Sequence, residues 1–197
     1  RFDTGVATWC PMIVGATREE FGAFWLDGEA FGQSGEALLR KRFAEAFPDA
    51  AEAMLHRARY RRAPRTDRAV LIDFHTQTKM IGPALRAAAM HSQAGGEAYA
   101  YRFDWQSPDP RFGACHCIDL PFVFGNLDTW RAAPMIADAP EDELAGMRDM
   151  VQSAIGSFVR TGHPASGPGV EWPAYGSAEH VVYFDRFAHV GVEAPYP

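Results

Sequence analysis

The chain has 197 residues and is 47% hydrophobic, with fourteen Phe and five Trp, enough apolar material for one sizeable core. Its 19 basic and 25 acidic residues leave a formal charge of -6, a balance that excludes a nucleic-acid footprint, and no run is apolar for long enough to span a bilayer. Three cysteines, Cys10, Cys115 and Cys117, cannot all pair within the chain, so a small secreted disulfide framework is excluded as well.

The opening residues read as strand, turn and helix. Trp9 to Val14 is a short apolar run ended by Gly15, as a buried strand would be. Thr17-Arg-Glu-Glu20 has capping-box spacing, with Thr17 as N-cap and Glu20 three residues on. The aromatic stretch Phe21 to Trp25 follows, and the Gly-rich residues from Gly28 to Gly35 read as loop. Leu39, Phe43 and Phe47 then recur at i, i+4 and mark an amphipathic helix that Pro48 stops. A second capping-box spacing, Asp49 to Glu52, opens a helix running to about Arg62. Its basic end, Arg57, Arg59, Arg61 and Arg62 with Arg65 and Arg68, reads as a solvated helix end, with a patch for an anionic partner as the alternative. After a turn at Pro64 to Asp67, a mainly helical segment begins with Val70 to Phe74. Pro83 is expected to open its last helix, Ala84 to Gln93, which Gly95-Gly96 ends.

Glu97 to Trp105 is the clearest strand, with Tyr99, Tyr101, Phe103 and Trp105 on one face. A loop from Gln106 to Cys117 follows. Leu144, Met147, Val151, Ile155 and Phe158 trace a helix face that begins after Pro140 and ends at Gly162, and His180 to Phe184 reads as a final strand. Two or three strands among long helical stretches are too few for a complete doubly wound sheet. They fit the edge of a sheet whose centre lies outside the chain; a small, mostly helical α+β domain is the alternative.

The loop after the best strand holds Phe112-Gly-Ala-Cys-His116-Cys-Ile-Asp119-Leu-Pro-Phe-Val-Phe-Gly125. A histidine on a loop at the carboxyl end of a strand stands where α/β enzymes place catalytic groups. This stretch resembles the histidine motif of type-B carboxylesterases, the α/β-hydrolase family that includes the cholinesterases. Met12 to Glu20 resembles the family's strand and acid-bearing turn, and Ala98 to Phe103 its strand before the histidine. Phe158 to Pro164 and Trp172 to Tyr175 resemble its late helix end and the turn that follows, all in the family's order.

The resemblance implies an α/β fold in which residues 1–197 are the C-terminal portion of one hydrolase domain, edge strands plus covering helices, incomplete alone. It makes His116 the triad base and Glu20 its acid, with Glu19 as the fallback acid and Asp119 as a carboxylate that steadies the loop. It implies a small carboxylic ester as substrate, no cofactor, and the missing N-terminal half as the necessary partner. Read from spacing alone, Glu20 is a capping-box residue, so two roles compete for one carboxylate.

A serine nucleophile in this fold needs the tight G-x-S-x-G elbow. The nearest approach, Gly32-Gln-Ser34-Gly35-Glu36, lacks the last glycine and a preceding strand, and it follows the acid where the fold's order is nucleophile, acid, base; Ser34 reads as a helix cap. The chain alone is therefore expected to be inactive. Arg1 is unusual as a first residue and suggests preceding sequence, which leaves the compartment open.

Cys117 and Phe21 stand where the family usually has glycine, and a positive φ at either would strain the loop. Those departures keep a non-catalytic, cholinesterase-like binding protein as the alternative function. Cys115 and Cys117 flank His116 but lack the second ligand cluster that a tetrahedral metal site needs. Phe21, Phe24 and Trp25 are candidates to line an acyl pocket, with core packing expected of at least two of them.

Overall fold

A computed structural model describes residues 5–25, 35–61, 63, 65–165, 171–194 and 196. Among these residues four strands form one sheet in the order β1 (Met12–Thr17), β2 (Ala98–Phe103), β3 (His180–Phe184), β4 (His189–Val192). The first three are parallel, with Met12 opposite Ala98 and Ala100 opposite Val181, and β4 turns back antiparallel on β3. The first strand begins three residues later than the apolar run suggests, because its pairing with β2 carries it through Gly15 to Thr17. The short β4, His189-Val-Gly-Val192, has no pattern of its own and forms as the returning partner of β3.

Both faces of β2 are covered, as a parallel sheet requires. Its aromatic face, Tyr99, Phe103 and the following Trp105, packs into a core with Ile118, Phe122 and the inward stripe Leu144, Met147, Val151 and Ala154. Its small-residue face, Ala98 and Ala100, meets Ile81, Leu85 and Ala88. Alternation of large and small side chains thus assigns each face a different helix.

Among the described residues, seven α-helices surround the sheet: α1 (Gly35–Ala46), α2 (Ala51–Arg61), α3 (Asp67–Thr76), α4 (Gly82–Gln93), α5 (Leu120–Phe124), α6 (Leu127–Trp130) and α7 (Glu141–Thr161). The first three share a third core in which Leu39 and Phe43 are fully buried against Leu55, Val70 and Phe74, closed by Tyr196. Pro83 lies in the first turn of α4, which ends at Gln93 as expected, and no loop separates that helix from α3. A π-helical turn, Gln77–Ile81, joins α3 to α4, and the Gly82 N–H donates to the Gln77 carbonyl. Proline lacks an N–H, and widening the preceding turn lets the chain pass it without stopping the helix. The longest helix, α7, begins after Pro140 and ends at Gly162 in a left-handed conformation, as its punctuation indicates. Of the expected loop from Gly28 to Gly35, residues 28–34, Ser34 included, lie outside the described residues, as do Arg62 and the side chain of Trp25, while Gly35 already begins α1.

Candidate active site

Two segments meet at the carboxyl ends of β1 and β2. The turn after β1 carries Glu19 and Glu20, and the long loop after β2 carries His116. Their backbones are stitched together: the Arg18 N–H donates to the Phe103 carbonyl at 2.9 Å, that of Glu19 to Ala114 at 2.9 Å, and that of His116 to Glu20 at 3.3 Å. The Glu19 side chain completes the seam by accepting from the Ala114 N–H at 2.7 Å and from Gln106 Nε2 at 3.0 Å. Gly113, with φ of +58°, passes so close that an added Cβ would sit 2.1 Å from Glu19 Oε2. Only glycine satisfies both the backbone and that approach.

This seam brings His116 Nδ1 to 2.6 Å from Glu20 Oε2. An ionised carboxylate has no proton to give, so Nδ1–H is the donor and Nε2 is the ring's open nitrogen. The imidazole side chain is 42% exposed, whereas that of Glu20 is 6% exposed. Glu20 is held from behind: its other oxygen accepts from the Thr17 N–H at 2.7 Å. Half of the expected capping box therefore forms, the half running from glutamate back to the Thr17 backbone. The other half does not: residues 18–22 form turns, a 3₁₀ segment, Ala23–Trp25, follows, and Thr17 Oγ1 is buried without a partner among the described residues. One carboxylate serves both sequence readings, one oxygen each.

The fallback acid, Glu19, faces away from the imidazole and fastens the loop instead. Asp119 lies under the site and accepts from the Tyr101 hydroxyl at 3.2 Å. Tyr101 reaches it because its register partner is Gly15, where any Cβ would come within 2.3 Å of the tyrosine ring. Burial raises the Asp119 pKa above the usual carboxylate range, the Tyr101 hydrogen bond opposes this, and the negative Glu20 adds to the rise.

Cys117 has φ of +67°, so the position beside His116 does require the left-handed region; Phe21, at the other departure, does not adopt it. The two thiols diverge in environment. Cys115 is fully buried, its thiol pushed up to about 12 by burial and its Sγ 3.8 Å from Met135 Sδ. Cys117 is only partly buried and its thiol is also raised, by burial and then by the charges of Asp119 and Glu20. Both thiols therefore stay protonated at neutral pH.

Phe24 is 61% exposed, and its ring centroid is 5.4 Å from that of His116. Core packing, expected of at least two of the three aromatics, does not hold for Phe24. Phe21 is half-buried, between Phe24 at 5.9 Å and His75 at 5.3 Å. Sequence reasoning missed the loop-fastening role of Glu19 and the Tyr101–Asp119 contact. The Gly15 opposite a strand tyrosine was the available signal for the second; the first joins residues too far apart in sequence to leave one.

Comparison with known proteins gives a consistent result. The sequence profile of the carboxylesterase family matches residues 6–189. The chain is 31% identical over 182 residues to a para-nitrobenzyl esterase of Bacillus subtilis, covering 87% of this chain and 33% of that one. It is also 31% identical over 164 residues to a probable N-octanoylanthranilate hydrolase of Rhodococcus erythropolis, with 83% of this chain and 30% of the other covered. Among solved structures, a Geobacillus stearothermophilus carboxylesterase superposes with a TM-score of 0.79 at 26% identity, over 96% of this chain and 40% of the other. A para-nitrobenzyl esterase structure superposes with a TM-score of 0.72 at 29% identity, over 96% and 37%. The chain thus spans about a third of the length of the curated relatives it matches.

Proposed function

The chain belongs to the carboxylesterase family of α/β-hydrolases, and from that premise we propose that the whole protein hydrolyses carboxylic esters through an acyl-serine intermediate. The observation that carries this reading is the 2.6 Å hydrogen bond from His116 Nδ1 to the buried Glu20 carboxylate, which leaves Nε2 open beside an exposed aromatic, Phe24. His116 acts as general base and then general acid. Its Nε2 takes the proton of a serine hydroxyl as that oxygen attacks the ester carbonyl, and returns it to the departing alcohol. It then deprotonates the water that releases the acid. Glu20 fixes the tautomer with Nδ1 protonated and stabilises the imidazolium formed in each step. The chemistry requires no cofactor.

The nucleophile is assigned to sequence preceding this chain, since Glu20 precedes His116 here and the fold's order is nucleophile, acid, base. A small ester is the expected substrate, with one of its apolar groups against Phe24. The test uses the full-length protein and p-nitrophenyl acetate. His116→Ala is expected to lower kcat by about a thousandfold or more, and Glu20→Gln by about a hundredfold or more. Both should slow serine labelling by a fluorophosphonate. Unchanged labelling in folded His116→Ala protein would remove the assignment, and a wild-type protein that neither labels nor turns over ester would instead fit the non-catalytic binding reading.

A further inference from the structure

A second polar cavity, of about 550 Å³, opens where α2 and α3 meet the end of the sheet. Four arginines line it, Arg18, Arg57, Arg61 and Arg102, against two carboxylates, Asp73 and Glu193. The carboxylates are already engaged. Buried Glu193 accepts from Gln77 Nε2 at 3.1 Å, from the Tyr183 hydroxyl at 3.0 Å and from Arg102. Asp73 accepts from the Tyr196 hydroxyl at 3.0 Å. Arg102 is committed as well: two of its nitrogens clamp Asp104, each at 2.6 Å. Arg61 gives one N–H to the Ala194 carbonyl at 2.8 Å and holds another nitrogen 3.6 Å from Glu193.

Two guanidinium groups remain. Among the described residues, neither Arg18 nor Arg57 makes a side-chain hydrogen bond or ion pair, and they enter the cavity from different elements, the turn after β1 and the middle of α2. We propose that this cavity binds a small polyvalent oxyanion of the phosphate class, gripped between Arg18 and Arg57 over the floor formed by Glu193 and its partners. A guanidinium fork matches a phosphoryl or pyrophosphoryl group bidentately, and two forks from separate elements suit more than one charge. A monocarboxylate would occupy only one of them. The anchored Glu193 keeps Arg61 and Arg102 in place, so the walls are set before the anion arrives. The basic helix end, read from sequence as solvated with an anionic-partner patch as the alternative, thereby contributes to a concave site.

The test is calorimetric titration of the full-length protein with inorganic pyrophosphate at low salt, with acetate at matched ionic strength as the control. Saturable binding of pyrophosphate is expected. Arg57→Gln should weaken it about tenfold or more, and Arg18→Gln with Arg57→Gln should abolish it. Arg57→Gln changes an exposed side chain on α2 that makes no contact with the His116–Glu20 pair among the described residues, and should leave ester turnover at the wild-type rate. Pyrophosphate binding no tighter than acetate would overturn the proposal, as would wild-type affinity in folded Arg57→Gln protein.

Discussion

Beside His116 the backbone bends through Cys117, whose φ of +67° places a side chain where L-residues are strained. The left-handed region costs a non-glycine residue roughly 1–2 kcal/mol, and glycine recovers part of that while losing more chain entropy on folding. Cys117→Gly is therefore expected to stabilise the full-length protein by up to about 1 kcal/mol, read as a raised thermal midpoint. A lowered midpoint would mean that packing of the thiol outweighs the strain. Glu19 invites the opposite experiment. Its carboxylate is the buried acceptor for Ala114 N–H and Gln106, so Glu19→Ala leaves a backbone donor unpaired in the seam that presents His116. That change should cost about 2–3 kcal/mol and lower kcat more than it raises KM, because the imidazole loses its register with Glu20. A kcat within twofold of wild type would sink this account of Glu19. At this scale the sequence was most informative where spacing was short. Thr17 and Glu20 lie three apart, and their contact could be anticipated; Glu19 acts across the fold on residues near 114, and no local pattern marks it.

Helices show the same division between local and distant causes. The ends of α7 were legible because Pro140 and Gly162 act on their own backbone. The passage from α3 to α4 was not, since the register shift that accommodates Pro83 is a change of hydrogen-bond partner with no residue signature. Likewise β4 exists only because β3 offers it an edge. On α3, His75 carries a pH dependence that belongs to the element. Burial first, and then the positive Arg42 and Lys79, together lower its pKa from 6.5 to about 4; Glu45 and Phe74 share the cavity beside it. Because the folded-state pKa lies below the unfolded one, the unfolded chain binds the extra proton first. Stability is then fully present above about pH 6.5 and falls as pH drops towards 4, by up to about 3 kcal/mol. His75→Gln should flatten the thermal midpoint against pH across that window, and an unchanged slope would show that other groups carry the acid sensitivity.

Across the whole molecule, the sheet is unevenly finished. One margin ends in the short antiparallel β4, while at the other β1 has no partner on its outer edge among the described residues. Met12, Ile13 and Val14 on that strand are only partly buried, unlike Val181 and Val182 in β3. An apolar strand with free N–H and C=O groups along one side is a template for another strand. The curated relatives are about three times longer than this chain, and the chain contains no serine elbow. Those facts motivate one joint prediction: the preceding sequence supplies both the strand that pairs with β1 and the nucleophile that faces His116. The 197-residue chain purified alone is then expected to self-associate with concentration in sedimentation and to leave p-nitrophenyl acetate unhydrolysed above background. Co-expressed with the preceding segment as a separate polypeptide, it should sediment as a single stable complex. A fluorophosphonate should label the segment rather than this chain, and labelling should slow when His116 is changed to Ala. A lone chain that stays monomeric and turns over the ester at the full-length rate would refute both halves of the prediction. Labelling of the complex that is indifferent to His116 would refute the second half alone, leaving β1 with its strand and His116 without its serine.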